Sequence, residues 1–497
     1  MDLFDVLIVG NGILAYSLVF SLLQEHPTVK IGIVGPAIRP GGATSAAGAM
    51  LGCFGEITKT SLNSSYGRAK LGMSIRATNL WPEWLEGINE HIDKPYQVNI
   101  TPGTLVILNS KSGSIDDENY DAIIDALRTH DQPYKDVDPR ALDYLDPIED
   151  CRPTRAMYLP NEGSLSSVLV LQNLQHIAEH SPGVKIFNSS VRELHVSTGQ
   201  IHSVKLETGE MIAAEHVVIA AGASSQVLID QLPNSFASHI PRLFAGVGFS
   251  LVAEQAGPPI PSVVRTPNRS FSCGLHVLPR GNDLYIGATN NVRLTPVYHP
   301  NMGDIHFLME CAIQQIHQGL EQAEVLLYVV GNRPVTIDTF PLIGHTSIDG
   351  LWMLTGTYRE GFHLSPLLAQ HMAKQILGKG EMFENLFLPE RPPIIHLTKQ
   401  QAIEDTVNHL MAVGYEASMK LPSGWQEVLR RTFFDKVRTI YEELDSDYVL
   451  PPNFFSLIER NHSELIPYFR DYYRSLPYEK PSIDLETSKE FNQALIA

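Results

Sequence analysis

Cationic charge is what this chain of 497 residues is shortest of: 37 Lys and Arg stand against 55 Asp and Glu, a formal charge of −18 at pH 7 with histidine neutral. Phosphate-rich partners are bound by clustered cations that release counterions, and no long Lys/Arg run supplies such a face, so neither nucleic acid nor an anionic membrane is an expected partner. Cysteine is scarce as well. Cys53, Cys151, Cys273 and Cys311 form no CxxC pair and have no histidines at metal-ligand spacing, which argues against a disulfide framework and against a metal site. Also missing is any run of about 20 uncharged apolar residues, the length a spanning helix needs. The apolar stretch 6–10 is too short for a secretion signal and has no basic segment before it. A cytoplasmic protein is the expectation.

What is present describes a globular chain, with 43% hydrophobic and 19% charged residues. The length suits two or three domains of roughly 100–200 residues each. The first readable unit is β-α-β: a strand from Phe4 to Val9, a glycine turn, a helix from about Leu14 to His26 and a strand from Lys30 to Val34. Continuous apolar strands separated by a helix imply a parallel sheet covered on both faces. Helical periodicity runs from Thr60 to His91, a strand from Gly103 to Leu108, and a helix from about Gly163 to Glu179. Strands follow at 184–187, 201–206 and 216–220. Runs broken by Pro and Gly between Leu243 and Asn291 predict an antiparallel sheet in a second domain. A helix near 303–319 and a strand-and-turn region at 331–357 come next. Last in this part is a helix with Ser365 as its cap, Pro366 in its first turn and Gly378 at its left-handed end. Beyond the Pro-rich break at 388–393, residues 400–497 alternate helical periods with Pro and crowd aromatics such as Trp425, Tyr441, Phe454, Phe455, Phe469 and Tyr473. We read a helical appendage whose aromatics bury area in a small satellite core. A lid over the active site and a subunit or partner contact are the alternatives.

Gly10-Asn11-Gly12-Ile13-Leu14-Ala15 is a GxGxxA element between a strand and a helix. Gly10 permits the tight turn, Gly12 lets backbone approach a pyrophosphate, Ala15 lets helix pack closely on sheet, and the helix N-terminus offers N–H groups to phosphate. The acidic residue expected after the second strand is absent, because Gly35 and Pro36 stand there. The adenosine end must then be held by backbone or by another group such as Arg39.

Further along, residues 43–52 (Ala-Thr-Ser-Ala-Ala-Gly-Ala-Met-Leu-Gly) resemble the flavin-contacting loop of the D-amino acid oxidase superfamily, and most nearly its glycine oxidase and sarcosine oxidase branch. Small residues there let backbone lie against the isoalloxazine ring. Further resemblances follow in that family's order: 220–224 (AAGAS), 276–280 (HVLPR), 284–289 (LYIGAT), 331–334 (GNRP), 340–344 (FPLIG), and 356–361 (GTYREG) with Ser365-Pro366. They cover residues 1 to about 380. The resemblance implies an α/β fold: a discontinuous Rossmann-type FAD-binding domain (1–60, 150–235, 331–380), an interleaved antiparallel-sheet substrate domain (61–149, 236–330) and a C-terminal helical extension (395–497). As FAD contacts it implies Gly10, Gly12, Ile13, Leu14, Ala15, Arg39, Thr44, Ser45, Ala47, Gly48, Met50, Val191, Ala221, Gly222, Arg333, Arg359, Gly361, Phe362 and His363.

At the reacting end it implies Arg333 as the bidentate partner of a substrate carboxylate, suited to a guanidinium that never deprotonates. The alternative is a structural arginine at a domain interface. Arg359 resembles an arginine of the closing loop, and could otherwise be a solvated charge. His276 stands where the family has a tyrosine; it either hydrogen-bonds substrate or is a satisfied core histidine. Met50 resembles a pocket wall residue. The implied reaction is oxidation of the C–N bond of an amino acid or related amine by hydride transfer to flavin N5, with hydrolysis of the imine and O2 or another carrier as electron acceptor. The helix from Ser365 would turn its positive end toward the ring. Two alternatives stay open: a biosynthetic flavoenzyme acting on a larger or carrier-bound amine, and a non-catalytic flavoprotein subunit. A flavin demethylase of tRNA fits poorly with the charge of −18.

Overall fold

The computed structural model describes residues 3–478 except 270, 288 and 446. Ala288 of the 284–289 motif and residues 479–497 of the expected extension lie outside the described residues.

The apolar strand Leu3–Val9 forms and is flanked in parallel by Ile31–Val34 and Met211–Ile219. The full order of this first sheet is Leu342–His345, Leu351–Thr355, Met211–Ile219, Leu3–Val9, Ile31–Val34, Val184–Phe187. A hairpin, Val191–Ser197 with Gln200–Leu206, attaches through Met211–Ile219. Because strand side chains alternate, Val6 and Ile8 face one layer while Leu7 and Val9 face the other. The first pair packs under the helices Ile13–Glu25, Ser65–Asn89, Ser167–Glu179 and Ser365–Ile376, and the second against the hairpin and residues 228–240. This accounts for the strands reading as continuously apolar.

The second sheet has ten strands, in the order Asn291–Arg293, Leu243–Glu254, Asp283–Gly287, His276–Arg280, Val263–Arg265, Thr101–Asn109, Pro153–Ser164, Met50–Leu51. Val325–Thr336 lies along Leu243–Glu254, and Lys135–Asp136 along Pro153–Ser164. It is antiparallel apart from the Val263–Arg265/Thr101–Asn109 pair. This sheet therefore takes in Met50–Leu51, Pro153–Ser164 and Val325–Thr336, all of which lie wholly or partly in segments expected on the nucleotide side.

Two local expectations are corrected. Gly163 and Ser164 end a strand rather than begin a helix, because they pair on one side with Thr101 and Pro102 and on the other with Met50 and Leu51. The helix starts at Ser167, with the Ser166 hydroxyl accepting from Leu169 N–H at 3.4 Å. Ser365 is not a cap either. The chain is already turning, with Leu364 N–H bonded to Glu360 C=O at 2.8 Å, so Ser365 falls inside the first turn and its buried hydroxyl has no partner among the described residues. Gly378 does adopt φ +66° and ends that helix.

The C-terminal region holds the helices Lys399–Glu416, Trp425–Leu444, Phe455–Arg460 and His462–Ser475, with a 3₁₀ turn at Pro452–Phe454. Thr398 and Gln401 form a capping box at its entry. Its aromatics do not make a separate satellite core. Phe454, Phe455, Phe469 and Tyr473 share one apolar cluster with Phe244, Val335, Ile337 and Tyr358 of the body. Buried ion pairs fasten it further: Arg391 of the linker to Asp338, and Arg269 of the body, itself held by Asp116 at 2.7 Å, to Glu416 at 2.5 Å. No helix among the described residues is long and apolar enough to cross a membrane.

Candidate active site

A cavity of about 510 Å³ begins at the ends of the parallel strands and runs toward the second sheet. At its first end Gly10 has φ +127°, and a Cβ there would lie 2.2 Å from the Ala220 carbonyl oxygen, so only glycine fits. The Ile13 N–H donates to Thr44 Oγ1 at 3.1 Å, which ties the 43–47 loop to the start of the helix. The acidic residue missing at Gly35 has a structural counterpart. The Asn11 side chain lies over Gly35, its Cγ 2.2 Å from where a Cβ would stand, and donates to the Pro36 carbonyl at 2.9 Å. Arg39 donates to Gln175 Oε1 at 2.6 Å and lies 5.7 Å from the Tyr16 ring centre. Its buried Nε has no partner among the described residues.

The other end is built by distant pieces of chain. Gly246 and Gly248 are two residues apart and so face the same side of their strand. A Cβ on Gly248 would sit 2.3 Å from Arg333 Nη1, and one on Gly246 would sit 3.1 Å from the Tyr358 ring. The two glycines thus clear the space that Arg333 and Tyr358 occupy. Arg333 Nη1 donates to Thr289 C=O at 3.2 Å and to Asn290 Oδ1 at 3.3 Å. Tyr358 has φ +50°, rare for a side-chain-bearing residue. Its N–H donates to Pro334 C=O at 2.9 Å, and its hydroxyl accepts from Asn290 at 2.5 Å and from Asn453 at 3.1 Å. Arg359 lies 4.8 Å from the Tyr358 ring centre and donates to Ser272 C=O at 3.4 Å. Neither Arg333 nor Arg359 has a carboxylate within ion-pair distance among the described residues. Close by, Arg265 pairs with Glu56 at 2.6 Å. Burial works to raise the Glu56 carboxyl, but the Arg265 and Arg359 cations outweigh it and hold the group at about 2.

Of the residues named from sequence, Gly10, Gly12, Ile13, Leu14, Arg39, Thr44, Ser45, Ala47, Val191, Ala221, Gly222, Arg333, Arg359, Gly361 and Phe362 line this one cavity. Ala15, Gly48, Met50, His276 and His363 do not. Ala15 is packed in the helix layer. Gly48 leaves room for Tyr285, 3.0 Å from its absent Cβ, and Met50 packs on Val263, Leu278 and Tyr285. His276 is 3% exposed, shares a hydrogen bond of 2.9 Å with Gly274 C=O, and covers Gly287. His363 is hydrogen-bonded to Thr78 at 2.8 Å, and its carbonyl accepts from Trp81 at 2.8 Å. Burial lowers both imidazoles to about 4, so both are neutral at pH 7. Given no role from sequence but lining the cavity are Asn11, Asn332 and Tyr358, which lie inside the quoted motifs, and Gly248 and Tyr298, which do not. For Gly248 the available signal was the Gly-x-Gly spacing at 246–248 inside a strand, which marks a close approach.

The donor set fits FAD: a cradle that a Cβ at Gly10 would fill, small side chains along 41–47, and a half-buried Arg39 whose buried Nε–H is unused among the described residues. Fold and cavity together define the class, an α/β protein that carries a dinucleotide at the ends of parallel strands. The sequence profile of the DAO family, FAD dependent oxidoreductase, matches residues 5–375. The chain belongs to that family and is an FAD-dependent oxidoreductase. Glycine oxidase of Geobacillus kaustophilus (strain HTA426) is 26% identical over 405 residues, 77% of this chain and 95% of that protein. The crystal structure of glycine oxidase from Geobacillus kaustophilus matches with a TM-score of 0.67 at 24% identity, covering 79% of this chain and 100% of that one. Iminodiacetate oxidase from Chelativorans sp. BNC1 matches at 0.63 and 19% identity, over 78% of this chain and 99% of that one. The family match ends at residue 375, ahead of the C-terminal helices.

Proposed function

We propose that the chain oxidises the C–N bond of an amino acid or a related carboxylate-bearing amine, giving an imine that water hydrolyses, with O2 as electron acceptor. One observation carries this reading: two arginines with no carboxylate within ion-pair distance among the described residues stand at the end of a dinucleotide cavity, where a substrate carboxylate completes them. Bound FAD supplies a two-electron acceptor. In this reading Arg333 clamps the carboxylate, and Arg359 adds positive potential from the closing loop. Small side chains along 43–47 admit a flat ring, while Tyr358 and Phe362 shield the reacting carbon from water. Burial keeps His276 neutral, and we assign it to packing beside Tyr285 rather than to proton transfer. Four cysteines free of disulfides suit the cytoplasm as the working compartment. The test is an anaerobic titration of the purified yellow protein with glycine, sarcosine, D- and L-alanine and L-proline, followed by flavin absorbance. Bleaching by at least one supports the reading, and none by any of them rejects it.

A second reading, a larger amine, is favoured by a separate cavity of about 160 Å³ beyond the Tyr358–Arg359 turn, bounded by Asp405, Pro452 and Asn453 of the C-terminal region. Bleaching by extended amines alone would select it.

A further inference from the structure

The C-terminal region reaches the arginine end of the cavity through the Asn453 side chain. Asn453 lies in the 3₁₀ turn Pro452–Phe454, which is held on both sides. Phe454 packs edge-on against Phe244 with ring centres 5.0 Å apart, and Tyr441 donates to Leu450 C=O at 2.9 Å just before the turn. From this fixed point the Asn453 amide donates to the Tyr358 hydroxyl at 3.1 Å. The same hydroxyl accepts from Asn290 Nδ2 at 2.5 Å. Asn290 Nδ2 also donates to Phe271 C=O at 3.0 Å, which sets the orientation of the amide and turns its Oδ1 toward Arg333 Nη1 at 3.3 Å. Asn453, Tyr358, Asn290 and Arg333 thus form one chain of hydrogen bonds ending on a guanidinium, and Arg359 Nη2 is a further donor to the same hydroxyl at 3.5 Å.

Arg333 needs such a device. Its side chain is long, and its hydrogen bonds go to the neutral oxygens of Thr289 and Asn290, so no carboxylate among the described residues fixes its orientation. A guanidinium left to rotate loses that freedom on binding a carboxylate, whereas one held in place beforehand does not.

We propose that Asn453 is a positioning residue: acting through the Tyr358 hydroxyl and Asn290, it presets the Arg333 guanidinium for a substrate carboxylate, which makes the C-terminal helical region part of the active site. The proposal rests on Arg333 being the carboxylate clamp.

The experiment uses the full-length, FAD-loaded enzyme and acetate as probe, a carboxylate with no amine to oxidise, with binding read from the change in flavin absorbance. In parallel, kcat and KM are measured with the best amino acid of the panel above. Asn453→Leu, which keeps the volume and removes the donor, and Tyr358→Phe should each weaken acetate and raise KM by about three- to tenfold, with kcat nearly unchanged in Asn453→Leu. The double variant should be no weaker than Tyr358→Phe alone, since both act through one hydroxyl. Additive losses overturn the proposal, as does unchanged acetate affinity in Asn453→Leu with only a lower Tm. If Asn453→Leu fails to retain FAD, unchanged acetate affinity in Tyr358→Phe overturns it equally. Arg333→Ala separates the two readings: if that variant still binds acetate normally, the clamp itself is wrong. If it does not, and Asn453→Leu does, only the positioning role falls.

Discussion

The two ends of the cavity are built in opposite ways. The nucleotide end is backbone held at close range: Gly10, Asn11, Gly12 and Gly35 lie within one β-α-β unit, and their spacing leaves almost no freedom, as the 2.2 Å approach of an added Cβ at Gly10 shows. The arginine end is side chain held across long range, with Gly248, Asn290, Arg333, Tyr358 and Asn453 coming from five stretches of chain. A local end tolerates changes elsewhere and fails through one added methyl. A dispersed end fails by degrees, because each member only orients the next.

That contrast can be broken most severely by removing residues from 399 onward. The cut strips apolar partners from Phe244, Val335, Ile337 and Tyr358, so the expected product is insoluble or lacks FAD, as flavin absorbance of the soluble fraction will show. A soluble, yellow truncation would mean that the body is complete without its helices. Next in size, Gly10→Ala should lose FAD by combining the overlap at Ala220 with a strained φ, worth about 1–3 kcal/mol by itself. The measure is the ratio of flavin to protein absorbance after gel filtration.

Smaller changes sharpen the comparison at the arginine end. Arg333→Ala should retain FAD and weaken carboxylate binding roughly a hundredfold. Gly248→Ala should do so about tenfold, because its methyl would displace Nη1 without removing the charge. Equal FAD content with unequal KM across these two would bear out the separation of the ends; parallel loss of both would refute it. The smallest effect is on stability against pH. Burial holds His276 and His363 at about 4, while free imidazoles titrate near 6.5. The unfolded chain then binds more protons, so the melting temperature should fall as pH drops from about 6.5 toward 4 and lose nothing further through these two below that. Glu56, held at about 2 against an ordinary 4.5, stabilises above that ordinary value and loses its contribution as pH falls through about 2. His276→Asn should flatten the upper part of this curve; an unaltered slope would remove the histidine from the account.

Legibility in the sequence followed the same division. The β-α-β unit and its glycines could be read because their constraints act between residues close in sequence. Arg333 and Arg359 were legible through resemblance, and both line the cavity. His276 and Met50 were not readable as to side: each stands on a strand of the second sheet, and only the packing of Tyr285 and Gly287 turns them from the cavity. Gly163 reads as a helix start because its strand pairing comes from Pro102 and Leu51, which local pattern cannot display.

The order of strand, turn and helix at the N-terminus, the acidic balance and the presence of a helical tail followed from the sequence alone, because periodicity, backbone sterics and charge are local or summed properties. The tail's fusion with the body core, the emptying of space over Gly248 and the route from Asn453 to Arg333 belong to the tertiary structure. Each depends on which distant segments share a volume, and hydrogen bonds and close packing act only at contact.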